Sequence, residues 1–588
     1  MTQPKLLVVV PPQAVSMVNG PPLAPLLLDY ALSPHGVDVE FFDANLSFFN
    51  WLQSEDVRTA VTSRLKELTA EELSHDALET GDLTRIGRYL SFLESDYCRG
   101  GTVSAARAGI DWEAAHELLV NPRSSVPDPA FRDLWIGRAM DDLCRQILRR
   151  EPDHVAFSTL FHTQTEAATA LCGRLRGAGF QGRVILGGAA IKLTDDLALE
   201  QLMTACAADL AYKFSVYGEF PTLAAFLRGE CRATEVAHGT YLDETGRLRH
   251  AKTEAGGARS MVRALSYDLV EREEYLEERI YPVLLSEGCY WGKCDFCDYP
   301  FLASQDPFKI NAFFRKASDV VHDIAELVEG CGISRIDLIS DAVPMGYFRL
   351  LADAGAGRLR DLGARLECSI RAEPKAQAHH FEAMAKCGVD LVTIGVESLA
   401  DEVLEGMQKG NTYTDILRSM RLAREQGIKV KANLIFDHPR MQLRHVEETL
   451  EKLDEVLPYV ESLGVHSFGL TPHAPLAFTP ESANLVVLDN QRTTNDHGEH
   501  HLRFVRTDMT PGLEARLSDL RTAVEAAAYQ LEIARTGGRE EPRRRKVVQL
   551  PYRWDGHRAV RDPAADLGIS IPGEASPFSY FVRGQADG

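Results

Sequence analysis

Three cysteines, Cys289, Cys294 and Cys297, fall within nine residues of the segment Ser286-Glu287-Gly288-Cys289-Tyr290-Trp291-Gly292-Lys293-Cys294-Asp295-Phe296-Cys297. The other eight of the chain's 11 cysteines are scattered singly. Three thiolates on one loop can each hold one iron of a [4Fe–4S] cluster, which leaves the fourth iron open to a small chelating ligand. Zinc normally takes a fourth Cys or His from close by, and the next histidines along the chain are His322 and His379. Three unligated thiols in a loop are the bland alternative.

The elements that must position this loop are legible around it. A predicted strand, Val283–Leu285, runs directly into the cysteines, and Arg335–Ile339, Arg365–Ile370, Leu391–Ile394, Lys429–Ile435 and Val465–Leu470 follow as further strands with helices between them. Six βα units at this spacing suit a partial (β/α)6 barrel over residues 281–480. An earlier α/β run precedes it. Leu6–Val10 is a continuous apolar run closed by Pro11-Pro12, as expected of a parallel strand buried on both faces. Val37–Phe42, Val155–Ser158, Val184–Leu186 and Leu210–Val216 repeat the strand pattern, which predicts a doubly wound parallel sheet within residues 1–235. Residues from about 50 to 150 are rich in Glu, Arg, Leu and Ala and read as a helical insertion. Residues 236–280 read as a linker that contains a hairpin, Thr240–Leu242 with Leu248–His250. Residues 481–588 read as a mostly helical C-terminal substrate or cap region, with one long helix at Leu513–Ala534. In doubly wound sheets ligands bind at the carboxyl ends of the strands, where Ser158, Gly187, Gly188 and Gly218 lie. Neither G-x-G-x-x-G after the first strand nor a P-loop motif occurs.

The cysteine segment resembles the signature of the radical SAM superfamily, three cysteines on the loop after the first barrel strand with an aromatic, here Phe296, before the third. The usual spacing is three residues and then two; this chain has four and then two, which lengthens one arm without removing a ligand. The resemblance covers roughly residues 281–475. It implies that Cys289, Cys294 and Cys297 hold the cluster and that S-adenosylmethionine (SAM) is contacted by Phe296, Asp341, Ser369, Arg371 and Glu397. Asp341 would sit near the SAM amino group, Ser369 and Arg371 near its carboxylate or ribose, and Glu397 at its ribose hydroxyls. The segment Asp401–Gly410 also looks family-like, whereas Asp437-His438 departs from the common Gly-x-Pro and receives no role. A flavodoxin-like sheet before such a barrel resembles the cobalamin-binding branch of the superfamily, through Pro11-Pro12, Gly187-Gly188 and Gly218-Glu219. The cobalamin contacts it implies are Ser158, Thr159, Gly187, Gly188, Gly218 and Glu219. The D-x-H-x-x-G motif of cobalamin mutases is absent, so no histidine is marked as a lower ligand to cobalt.

The expected activity is therefore that of a radical SAM enzyme, with cobalamin-dependent C-methylation in natural-product or peptide maturation first. A cobalamin-dependent or cobalamin-free radical rearrangement or cyclisation is the alternative, in which the first domain is a degenerate partner-binding module. Expected partners are a small-molecule or peptide substrate and an electron donor such as flavodoxin or ferredoxin. Lys and Arg total 64 against 85 Asp and Glu, a net charge of −21, which argues against broad binding to nucleic acid or anionic membranes. With no apolar run near the ~20 residues of a membrane span and no signal-peptide core at the N-terminus, the expected location is the cytoplasm.

Overall fold

The computed structural model describes residues 3–13, 20–74, 83–95, 98, 116–120, 128–213, 220–251, 262, 264–269, 275, 280–310, 312–488, 502–536, 552–555 and 558–561. Its first sheet has the order β2-β1-β3-β4-β5-β6-β7. Strands β1 (Lys5–Val10), β2 (Asp38–Asp43), β3 (His154–Ser158), β4 (Arg183–Gly187) and β5 (Leu210–Tyr212) are parallel; β6 (Gly239–Leu242) and β7 (Leu248–His250) extend the edge antiparallel. The run Leu6–Val10 is apolar throughout because both faces are covered. Leu7 and Val9 pack with Val155, Phe157 and Val184 on one side, and Leu6 and Val8 with Ala156, Ile185 and Leu210 on the other. The expected hairpin is present and belongs to this sheet, so residues 239–250 serve as its edge rather than as free linker. Between β2 and β3 the described residues are helical, with helices at Ala44–Leu52, Glu55–Ser74, Leu83–Leu93 and Pro129–Arg149. Asp43 and Asp128 start two of them by accepting the Leu46 and Phe131 amide protons at 2.8 and 3.1 Å.

The second sheet is parallel throughout, in the order β15-β14-β13-β12-β11-β8. Its strands are β8 (Tyr281–Leu284), β11 (Arg335–Ile339), β12 (Arg365–Ile370), β13 (Val389–Glu397), β14 (Lys429–Ile435) and β15 (Ser462–His466), with helices between successive strands from β11 onward. This is the open, six-stranded barrel wall expected from the pattern. A short antiparallel pair, β9 (Ser286–Glu287) with β10 (Phe313–Phe314), flanks the cysteine loop. Side chains alternate along each strand. Leu338, Cys368, Val392 and Ala432 enter the core against the outer helices, and their neighbours at 337, 367, 393 and 431 turn to the inner face.

The last strand differs from expectation. It spans Ser462–His466 rather than Val465–Leu470, because Phe468 and Leu470 leave the sheet to join a separate core with Leu476, Leu485 and Phe504. That core underlies a four-stranded antiparallel sheet, β16 (Leu485–Val487), β17 (Phe504–Arg506), β18 (Tyr552–Asp555) and β19 (Arg558–Arg561), in the order β16-β17-β19-β18. The region after residue 481 thus adds this sheet to its long helix, Pro511–Thr536. Among the described residues no helix is long and apolar enough to cross a membrane.

Candidate functional site

The cysteine loop leaves β9 through Gly288 and turns again at Gly292, with φ of 79° and 57°, a region glycine enters without strain. Several bonds tie it down. The Asp295 amide donates to the Met407 carbonyl at 3.0 Å, and the Leu476 amide donates to the Asp295 carbonyl at 2.7 Å. The Asp295 carboxylate takes two N–H bonds from Arg440, at 2.9 and 2.7 Å. Trp291 donates its indole N–H to the Gln408 carbonyl at 2.9 Å and lies under the Arg371 guanidinium, 4.1 Å from ring centre to Cζ. Burial pushes the Cys294 thiol up, while Lys409 and Arg371 pull it down; burial pushes Cys297 higher still. Among the described residues no three Cys, His, Asp or Glu groups converge on a single ion. A four-iron cluster asks for something else, one thiolate at each of three irons, and three thiols on one anchored loop suit it.

Three of the expected SAM contacts gather at this loop. Arg371 is 5% exposed, donates to the Lys409 carbonyl, and meets Glu373 at 3.3 Å; its buried Nε–H has no partner. Glu397 ends β13 in a left-handed conformation, φ 63°, with one carboxylate oxygen 2.9 Å from the Lys409 ammonium. Its second oxygen has no partner among the described residues. Lys409 is 6% exposed, and its Nζ lies 5.9 Å from the Phe296 ring centre. Phe296 is backed by His438, which is 0% exposed and edge-on at 5.9 Å. Burial, with Arg440 and Arg506 adding to it, holds that imidazole neutral. A free acceptor at Glu397 and an unpartnered N–H at Arg371 fit a ligand that carries hydroxyls and a carboxylate.

The other two candidates lie apart. Asp341 sits beside Gly288 and Glu287 at the start of the loop; burial and Glu287 raise its acid to about 6 against the pull of Lys192. Ser369 faces a deeper cavity inside the barrel wall. Sequence reasoning gave no role to Lys409, Trp291, Asp295 or Arg440. The one signal for Lys409 was its place in the Asp401–Gly410 segment. Two glycines there and at β13 are set by these contacts. A Cβ at Gly395 would stand 2.5 Å from the Glu397 carboxylate and 3.0 Å from the Lys409 nitrogen, and one at Gly410 would stand 2.2 Å from Trp291.

The strand ends of the first sheet face the barrel across a seam. A cavity of about 390 Å³ is lined by Ser158, Gly187 and Gly188 on one side and by Leu284, Gly288 and Asp341 on the other. A second, of about 800 Å³, shares Ser158 and opens onto the inner face of the barrel. The seam is pinned by Lys192 to Glu287 at 3.5 Å, His473 to the Leu193 carbonyl at 2.8 Å, and the Tyr275 hydroxyl donating to Asp43 at 3.0 Å. Thr159 lines neither cavity: it is 0% exposed, and its hydroxyl donates to the Gly187 carbonyl at 3.0 Å. Gly188, with φ 103°, is closed on one side, since a Cβ there would stand 2.1 Å from the Thr159 carbonyl oxygen. Gly187 has nothing within 4 Å of a Cβ, so it is the open floor of the smaller cavity. Gly218 and Glu219 lie outside the described residues.

Residues 283–453 match the family model of the Radical SAM superfamily. A curated relative, 4'-phospho-dehydrooxetanocin synthase of Priestia megaterium, is 20% identical over 346 residues, 55% of this chain and 45% of that protein; the chain thus matches less than half of that relative's length. Two solved structures share the fold. The radical S-adenosylmethionine methyltransferase TsrM of Kitasatospora setae, with tryptophan substrate and a SAM analogue bound, has 16% identity, covers 88% of this chain and 89% of its own, and gives a TM-score of 0.53. The cobalamin-dependent radical enzyme OxsB, with aqua-cobalamin and SAM bound, has 15% identity, covers 90% and 66%, and gives 0.55.

Proposed function

We propose that this protein, whose barrel is a radical SAM domain by the match over residues 283–453, is a cobalamin-dependent C-methyltransferase acting on a small molecule or peptide. The observation that carries the reading is the shared cavity: Ser158 and Gly187 of the first sheet line the same space as Gly288 and Asp341 beside the cysteine loop. Methyl transfer needs two cofactors and the substrate within reach of one another, and this seam supports that. When bound, the cluster with SAM supplies one-electron hydrogen abstraction and cobalamin supplies the methyl group.

The chain's own residues orient these groups. Cys289, Cys294 and Cys297 hold the cluster. Arg371 offers its free N–H to the SAM carboxylate, and Phe296, backed by His438, forms the apolar wall beside it. Glu397, with one oxygen held by Lys409, keeps the other for a ribose hydroxyl. Gly187 lets a corrin rest on backbone, and Asp341 holds the SAM amino group from the seam side. An electron donor such as flavodoxin or ferredoxin would supply the electron that a bound cluster needs. The deciding experiment is anaerobic reconstitution with iron, sulfide, hydroxocobalamin, reductant and methyl-labelled SAM. Candidate substrates are then read by mass spectrometry for a gain of one labelled methyl. A product isomeric with its substrate overturns methylation in favour of rearrangement.

Glu397→Gln tests the SAM site. The amide keeps the shape but loses the charge, and a hydrogen bond to a charged group contributes about 1.5–3 kcal/mol, so SAM should bind roughly ten- to hundredfold more weakly. Iron content should stay at the wild-type level. Unchanged SAM affinity would make the Glu397–Lys409 pair a structural tie only.

A further inference from the structure

The larger cavity, of about 800 Å³, has two unlike walls. Most polar groups on the wall from the first sheet are taken up in bonds of their own, the Ser158 hydroxyl excepted. The Gln164 amide donates to the Pro11 carbonyl at 2.8 Å, and Asn45 accepts the Gln13 amide proton at 2.9 Å. Asp43 accepts from Leu46 and Tyr275 at 2.8 and 3.0 Å. The barrel wall is not spent. Its inner face carries Asp337, Glu367, Ser369, Thr393 and Lys431 into the cavity. Glu367 is held by Arg335. Among the described residues Asp337, Ser369, Thr393 and Lys431 make no side-chain hydrogen bond or ion pair.

Register places these groups in two rows. Asp337 is the cross-strand partner of Glu367. One step on toward the carboxyl ends, Ser369, Thr393 and Lys431 are partners in turn. Parallel strands lie about 4.8 Å apart, so two carboxyls stand side by side on β11 and β12, and an ammonium stands two strands from the nearer of them. Burial and the neighbouring Glu367 raise the Asp337 acid to about 6, and Lys431 opposes this. Arg335 pairs with Glu367, so Asp337 is the carboxyl left without an ion pair, and a positively charged ligand group beside it offsets that cost. Hydroxyls beside an ammonium, in turn, suit an anionic group.

We infer that this cavity is the substrate pocket and that it takes a zwitterionic small molecule, with the ammonium group on Asp337 and Glu367 and the anionic group toward Lys431, Ser369 and Thr393. To call the ligand a substrate rests on the radical-enzyme reading above; the binding preference does not. A pocket with a few convergent polar groups and an apolar remainder, here including Pro22, Leu23, Ile339 and Leu391, is built for recognition of this kind.

The test uses the full-length, cluster-loaded protein, with and without hydroxocobalamin. The probe is a set of size-matched neutral, cationic, anionic and zwitterionic fragments, read by saturation-transfer NMR. Ammonium-bearing and zwitterionic fragments should dominate the hits. Asp337→Asn, close to isosteric, should weaken ammonium binding roughly tenfold, and Lys431→Met should weaken only fragments that carry an anionic group. Ammonium binding should also fall as pH drops through about 6 and Asp337 takes up a proton; the charged groups that face it are Glu367, with Arg335 behind that, and Lys431. Circular dichroism, iron content and corrinoid absorbance are recorded on each variant. No fragment binding, hits that are mostly neutral, or Asp337→Asn binding ammonium fragments as tightly as wild type overturns the inference. Loss of corrinoid binding in the wild-type protein strikes the methyl-transfer reading alone and leaves the fragment result standing.

Discussion

Protein carrying Cys294→Ala should emerge from reconstitution without the visible absorbance of an iron–sulfur cluster and should cleave no SAM. Each thiolate holds its own iron, so a missing one leaves an iron with no protein ligand. The loss should be complete, because the two thiolates that remain hold only two of the three irons that the loop must anchor. The fold should survive. Trp291, Asp295 and Leu476 tie the loop down through backbone and side-chain bonds that do not involve sulfur. Cys289→Ala and Cys297→Ala should behave alike. Cys387→Ala is the control: its thiol is buried, donates to the Phe348 carbonyl at 3.6 Å, and is pushed up to about 12, far from any metal-ready thiolate. Iron at the wild-type level together with SAM cleavage in the Cys294→Ala protein removes the cluster from this loop.

Gly187→Leu should lose corrinoid binding and keep the cluster. A leucine there enters the cavity unopposed, since nothing lies within 4 Å of its Cβ. Forcing a ligand against an inserted side chain costs about 1–3 kcal/mol even when the surroundings give way, roughly one to two orders of magnitude in affinity. The adjacent glycine is the wrong place for this test. At Gly188 a side chain meets the Thr159 backbone at 2.1 Å with φ at 103°, so Gly188→Leu should lose corrinoid merely by forcing apart the loops that follow β3 and β4. Equal corrinoid uptake by folded Gly187→Leu and wild type, measured by absorbance after gel filtration, rejects the cobalamin site.

That contrast between neighbours shows where sequence reading stops. The Gly-Gly turn was visible as a strand end, and both glycines line the smaller cavity. Which of the two glycines is open depends on the path of Thr159, in the loop after β3. The same limit explains Lys409. Its partner Glu397 is 12 positions away in sequence, with the helix Asp401–Gly406 between them, and no periodicity joins them. The barrel strands were legible because each alternates between a core face and an inner face. The end of β15 was not, because the apolar run Val465–Leu470 is shared between two cores. The strands of the C-terminal sheet are three or four residues long, and β17 pairs with β16 and β19 across long stretches that carry no hairpin signal, although Asp555-Gly556 between β18 and β19 offered one.

Trp291 lies inside the arm between the first two cysteines, with Gly410 beneath it, Arg371 at 4.1 Å and Lys293 at 4.9 Å from its ring. The chain has five tryptophans in all, and of those with described surroundings Trp51 and Trp135 pack against each other in the helices between β2 and β3. An indole held this rigidly beside the proposed cluster loop is a built-in optical gauge, because a bound iron–sulfur cluster would absorb visible light. Its emission should be quenched as metal enters, at a rate that follows assembly of the centre itself. Trp291→Phe should silence that change and leave iron uptake intact, so cluster loading can be timed in a cuvette without any substrate being known.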